Sequence, residues 1–201
     1  MAVVVVSILL TAILPMIVMT TATRVQSRRV DLATQAARSY IDGVRSGVID
    51  ITATTFPFVG GPQTSRNQYF SDVPAPNSTN IANLNAIAGV KVDTNGSGFT
   101  VNDPQDLVIQ PMRSAGNDLT TQGFYMEVRV YRADAFTQDA SGNLNGLQSG
   151  LIMQTGNDDG LCPNARKVVT STGGAKDCPL VVMKVDINPP TSTLSQIKSR
   201  L

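Results

Sequence analysis

Residues 24–47 read RVQSRRVDLATQAARSYIDGVRSG, and they follow without a break on residues 1–23, MAVVVVSILLTAILPMIVMTTAT. In and just beyond the second stretch, Val30, Ala33, Ala37, Tyr40, Ile41, Val44 and Val48 recur with the i, i+3, i+4, i+7 spacing. That spacing marks one apolar stripe along a helix. Arg28, Asp31, Gln35, Arg38, Asp42 and Arg45 fall on the opposite side. Gly43 and Gly47 are the first glycines, and Gly47 is the expected C-terminal stop.

The preceding stretch has a different character. Residues 2–23 carry no charged side chain and match the roughly 20 apolar residues needed to cross a bilayer. Ser7, Thr11, Thr20, Thr21 and Thr23 interrupt it, but hydroxyls can bond back to the helix backbone. Pro15 removes one backbone donor and is expected to bend the helix. The run is longer than the apolar region of a secretory signal peptide, and no lysine or arginine precedes it. The two stretches together predict a helix of about 45 residues, roughly 65 Å long. Its first half suits an apolar environment, and its second half suits packing on a globular domain. The chain thus divides into an apolar helix half at 1–23, an amphipathic half at 24–47 and a β-rich domain at 48–201.

Composition narrows the function of that domain. The 201 residues include 15% charged side chains, and the net charge is +1. Such a balance gives no broad attraction to nucleic acid. The absence of histidine removes the commonest general base and transition-metal ligand. No phosphate-binding GxxxxGK[ST] and no dinucleotide fingerprint occurs. The expectation is a protein without catalysis. Cys162 and Cys178 are too far apart for a redox Cys-x-x-Cys pair and too few for a zinc site. A disulfide is the simplest reading and implies an oxidising compartment, with two reduced thiols as the alternative.

The segment from Val48 to Gly89 is rich in proline and glycine and reads as a long irregular connection. GVKVDTNGSGFTVND reads as two short strands around an Asn95-Gly96 turn. LVIQPMR at 107–113 reads as a third strand, with Pro111 pushing it toward an edge or an end. FYMEVRVYRAD at 124–134 is the clearest strand. It sets Phe124, Met126, Val128 and Val130 on one face and Tyr125, Glu127, Arg129 and Tyr131 on the other. PLVVMKVDI at 179–187 is another, with Val181, Met183, Val185 and Ile187 inward. Residues 135–178 read as turn-rich. The expected fold is α+β, a long N-terminal helix with an apolar first half, packed on a small antiparallel sheet of about four strands.

An apolar helix half fused to an amphipathic half, with a β-rich domain behind, resembles the type IV pilin and pseudopilin family. Pro15 stands where pilins commonly carry a helix-weakening proline. The family's processing motif is a basic leader, a glycine and Phe-Thr-Leu-x-Glu. It would lie ahead of Met1, so no processing or docking residue is carried over. ATRVQSRRVDLATQAARSYIDGVRSG, VKVDTNGSG with DLVIQPMR, FYMEVRVYRADA and PLVVMKVDI are together similar to cyanobacterial pseudopilins of hormogonium polysaccharide secretion.

The resemblance implies a structural pseudopilin or minor pilin of a type IV pilus-like or type II secretion-like machine supporting polysaccharide export and gliding motility. Its partners would be other subunits through the N-terminal helix, the inner membrane and the exported polysaccharide. It also implies a disulfide-closed loop near the C-terminus. The alternative is a membrane-anchored β-domain that binds glycan or calcium.

Topology poses a conflict. Arg24, Arg28 and Arg29 follow the apolar run and by the positive-inside rule would keep the domain cytoplasmic. The cysteines argue for the outside, and a basic leader ahead of the run would outweigh those arginines. The expectation is a single-pass inner-membrane protein with a periplasmic domain, which becomes part of a filament after assembly.

One stretch has metal-ligand spacing. Asp93, Asn95, Ser97 and Gly98 match the first half of a calcium loop, in which alternate oxygens converge on a hard cation. Pro104 occupies the place of the usual bidentate acid, and Asp103 beside it is the available substitute. The other reading of these residues is a polar turn. No other cofactor is expected. Asn157, Asp158 and Asp159 read as an acidic turn, and Arg166 with Lys167 as a small basic spot in the cysteine loop. Asn77-Ser78-Thr79 fits a glycosylation acceptor pattern.

Overall fold

The computed structural model describes residues 2–50, 58–59, 70, 73–114, 123–156, 162, 176–188 and 195; in the first helix, side chains are described from residue 20, with 22 excepted. Asn157, Asp158, Asp159, Arg166 and Lys167 lie outside the described residues.

Helix α1 spans Ala2–Arg45 as one element. Pro15 falls in the part whose side chains are outside the description. The predicted stripe buries Ala33, Ala37, Tyr40, Ile41 and Val44. Arg28, Asp31, Gln35, Arg38, Asp42 and Arg45 are all exposed. Val48, the last member of the stripe, is 81% exposed, because the helix has already ended. Two hydrogen bonds close it: Val48 N–H donates to Gly43 O at 3.0 Å, and Gly47 N–H donates to Val44 O at 3.1 Å. Gly47 takes φ +76°. This is the paired closure of a Schellman cap, in which a left-handed residue satisfies the last carbonyls.

The strands are β1 (Phe58–Val59), β2 (Lys91–Val92), β3 (Leu107–Ser114), β4 (Phe124–Arg132), β5 (Phe136–Gln138), β6 (Leu144–Leu147) and β7 (Val181–Ile187), with a short helix α2 (Ile81–Asn85) before β2. The main sheet is five-stranded, with the order β1-β3-β4-β7 and β2 beside β3. It is antiparallel except for β1, which runs parallel to β3. The fold is therefore α+β, as expected, with one more strand than anticipated. β5 and β6 form a separate hairpin inside the stretch read as turns.

Register explains how Pro111 fits inside β3. Ile109 N–H donates to Val90 O at 2.8 Å, on the side of β3 away from β4. Residues two apart face the same way, so the ring nitrogen of Pro111 also faces away from β4, where no ladder donor is needed. β2 pairs with Leu107 and Val108, and β1 pairs with Arg113 and Ser114. Pro111 lies between these two pairings rather than at an end of its strand.

Cross-strand pairing puts Ile109, Val128, Val130, Val181 and Met183 on one face of the sheet. That face packs with α1, and Ile109, Met126, Val128 and Val130 are at most 1% exposed. Burying one such side chain stabilises the fold by about 1.5–3 kcal/mol, so this layer dominates the core.

The expected hairpin around Asn95-Gly96 does not form. β2 ends at Val92, and residues 93–106 are a loop. Side chains take the backbone donors that a ladder would have used. Asp106 Oδ1 accepts from Thr94 N–H at 3.3 Å, and its Oδ2 accepts from Thr100 N–H at 2.9 Å. Local acceptors of this kind compete with strand pairing.

Candidate functional site

The second face of the sheet decides how the domain is built. All nine residues of β4 are buried, so Glu127 and Arg129 have no solvent face. Arg129 Nε donates to Glu127 Oε1 at 2.7 Å, and the two side chains are 2% and 3% exposed. The remaining guanidinium donors reach the carbonyls of Val73, at 2.9 Å, and Phe70. Gln110 Nε2 donates to Pro74 O at 2.8 Å. Tyr131 donates its hydroxyl to Gln154 O at 2.9 Å. Burial pushes the Tyr131 phenol up, against the opposing pull of the Arg129 charge. Lys184 Nζ stands 3.8 Å from Glu127 Oε2. Phe70, Met112 and Tyr125 form a small apolar cluster on the same face. The polar side chains thus tie Phe70, Val73 and Pro74 to the sheet.

The alternation in the sequence set Glu127 and Arg129 together on the second face of β4 and gave them no role. Opposite charges two residues apart on one strand face were the available signal. Nothing local in the sequence shows that a distant segment covers them.

The candidate calcium residues do come together. Asp93 Oδ1 accepts from Asn95 N–H at 3.0 Å and from Gly96 N–H at 2.8 Å, and its Oδ2 accepts from Gly98 N–H at 2.7 Å. The Gly98 amide is the main reason the Asp93 carboxyl sits below the usual range. Ser97 N–H donates to Asn95 Oδ1 at 2.8 Å, and Asn95 Nδ2 donates to Asp103 Oδ2 at 2.7 Å. These bonds fix the shape of the loop. Among the described residues, no group of three or more His, Cys, Asp or Glu side chains is placed to hold a metal ion.

Asn77 of the glycosylation pattern is occupied locally, its Oδ1 accepting from Thr79 N–H at 2.9 Å and Asn80 N–H at 3.0 Å. Cys162 and Cys178 form a disulfide with a Cα–Cα distance of 5.8 Å. Closing a loop of this length contributes about 3 kcal/mol in the chain-entropy model. An open groove of about 460 Å³ runs between Pro74–Ser78 and Leu147–Met153.

At the far end of β4, Arg132 Nε donates to Asp134 Oδ1 at 2.8 Å. Lys176 Nζ stands 3.2 Å from Asp134 Oδ2. Arg29 of α1 is partly buried. Burial and then the Arg132 charge lower its pKa, and Asp134 opposes them. Among the residues with described side chains, no helix is long and apolar enough to cross a membrane; residues 2–19 are outside that set.

No protein-family model matches the chain, and neither a curated protein nor a solved structure matches it.

Proposed function

We propose that this chain is a structural pilin-like subunit. It would be a pseudopilin or minor pilin of a type IV pilus-like or type II secretion-like assembly that serves polysaccharide export and gliding. The observation that supports this most is the continuity of α1. One helix, Ala2–Arg45, carries an uncharged first half, and its second half buries Ala33, Ala37, Tyr40, Ile41 and Val44 on the domain. A simple tether needs no stripe beyond the membrane.

In this reading the apolar half holds the subunit in the inner membrane, with the β-domain on the periplasmic side. The disulfide suits that oxidising side. On assembly the apolar halves leave the lipid and pack against one another. The role is mechanical, and the energy comes from a separate cytoplasmic motor, since the sequence holds no phosphate-binding motif.

The test replaces residues 2–19 with an unrelated transmembrane segment of equal length in cells deleted for the native chain. The proposal expects polysaccharide export and surface filaments to be lost while the domain stays anchored. Export at the native level would favour the anchored binding module.

A further inference from the structure

The sequence holds two Asn-Gly dipeptides, Asn95-Gly96 and Asn145-Gly146. In such a pair the glycine nitrogen can attack the side-chain carbonyl carbon of the asparagine, because glycine has no side chain to block a close approach. The structure treats the two pairs differently.

Asn95 and Gly96 are exposed in the loop that follows β2. Gly96 takes φ +81°. Beyond its chain neighbours, no described atom lies within 4 Å of the place a Cβ would take there. Each atom that would change has a partner. Gly96 N–H, the nucleophile, donates to Asp93 Oδ1 at 2.8 Å. Asn95 Oδ1, which would gain charge, accepts from Ser97 N–H at 2.8 Å. Asn95 Nδ2, the leaving nitrogen, donates to Asp103 Oδ2 at 2.7 Å. A carboxylate within hydrogen-bond reach of an N–H can take its proton as the nitrogen attacks. A backbone N–H at such a distance steadies a developing oxyanion.

Asn145-Gly146 lies in β6, where Gly146 pairs with Thr137 of β5. Gln148 N–H donates to Ala135 O at 3.0 Å. Residues two apart face the same way, so Gly146 N–H also points at β5, in the plane of the hairpin. Strand side chains stand out of that plane, so the Asn145 side chain and the Gly146 nitrogen face apart. Thr137 donates its hydroxyl to Asn145 Oδ1 at 2.7 Å. A Cβ on Gly146 would meet that same Thr137 oxygen at 2.8 Å. This hairpin must open before its glycine nitrogen can attack.

We propose that Asn95 is a self-modification site, which loses its side-chain amide by attack of the Gly96 nitrogen while Asn145 is spared. The Gly96 nitrogen forms a bond to Asn95 Cγ and gives its proton to Asp93. The bond from Cγ to Nδ2 breaks, and that nitrogen leaves as ammonia with a proton equivalent to the one Gly96 gave up. Water, the one co-reactant, then opens the cyclic imide at either carbonyl and leaves aspartate or isoaspartate at position 95. No electron transfer is involved. Either product sets a carboxylate where a donor to Asp103 stood, and repulsion between like charges replaces that bond.

The test holds the detergent-solubilised full chain at neutral pH, samples it over days and maps its peptides by mass spectrometry. Enzymatic methylation of isoaspartate gives a second readout. A parallel sample is kept unfolded in urea, and each folded rate is divided by the rate of the same asparagine in urea. That ratio should be at least about tenfold higher for Asn95 than for Asn145, whose strand has to open first. Equal ratios, or a higher one for Asn145, would overturn the assignment. Asp93→Asn should slow conversion of Asn95 several-fold and leave Asn145 unchanged. Unchanged or faster conversion of Asn95 in that variant would overturn the part given to Asp93. The wild-type comparison needs no variant, so it decides the site even if Asp93→Asn misfolds.

Discussion

Arg129 and Glu127 form an ion pair at 2.7 Å on a face of β4 where both side chains are almost completely enclosed. Truncating one member of such a pair leaves an uncompensated buried charge, which costs about 3–5 kcal/mol. Arg129→Met also removes the donors to the carbonyls of Phe70 and Val73. Urea unfolding of the full chain in detergent should show a loss of that size. The Glu127→Met/Arg129→Met double variant should lose less than the sum of the single variants. Strict additivity would mean that the two groups act independently.

Tyr40 presents the reverse case. Its hydroxyl is buried and has no hydrogen-bond partner among the described residues, and burial pushes the phenol well above its usual range. Gly89 lies alongside, where an added Cβ would sit 3.3 Å from Tyr40 Cε2. Removing an unsatisfied buried polar group relieves a penalty of about 1–3 kcal/mol. Tyr40→Phe should therefore unfold at equal or higher urea concentration than the wild type. A drop in the midpoint would show that the hydroxyl has a stabilising partner.

Gly47 tests the helix stop. At φ +76° with open space where a Cβ would go, substitution brings backbone strain without a clash. Gly47→Ala should cost about 1–2 kcal/mol, and Gly47→Asn less, since asparagine tolerates the left-handed region. The measurement is the urea midpoint of each variant. Equal costs for the two substitutions would point away from the cap.

Two exposed turns should make stability depend on acid. The Asp93 carboxyl is held low chiefly by the Gly98 amide, and the Asp139 carboxyl chiefly by the Asn143 amide. Each folded pKa lies below the unfolded value, so the unfolded chain takes up protons first as pH falls. The contribution is complete above the ordinary carboxylate range, near 3.9 for Asp, and is lost as pH drops through the folded value. The urea midpoint should fall more steeply between pH 5 and pH 3 for the wild type than for Asp93→Asn/Asp139→Asn. Parallel curves would remove these turns from the account.

The strong periodicities in the sequence carried over into the structure. The α1 stripe is buried from Ala33 to Val44. The alternation along β4 set Phe124, Met126, Val128 and Val130 together on one face, and Val181, Met183, Val185 and Ile187, read as facing inward, share that face. Two kinds of feature did not show in the sequence. In the first, side chains displaced a backbone pattern, as Asp93 and Asp106 did by drawing the amides of 94–100 out of a hairpin. In the second, distant segments met. Arg129 looks like a solvent-facing residue until the carbonyls of Phe70 and Val73 cover it. β1 pairs parallel to β3 across more than fifty residues of chain. Arg132 at the end of β4 and Lys176 just before Cys178 meet at Asp134, a grouping that no local pattern encodes.

The central claim is that copies of this chain pack through the apolar half of α1. Its most direct test is oxidative cross-linking of an Ile13→Cys variant of the full chain in native membranes and in sheared surface fractions. The account predicts disulfide-linked dimers in both fractions, abolished when the assembly motor is inactivated. Monomers alone, in cells whose polysaccharide export is intact, would contradict it.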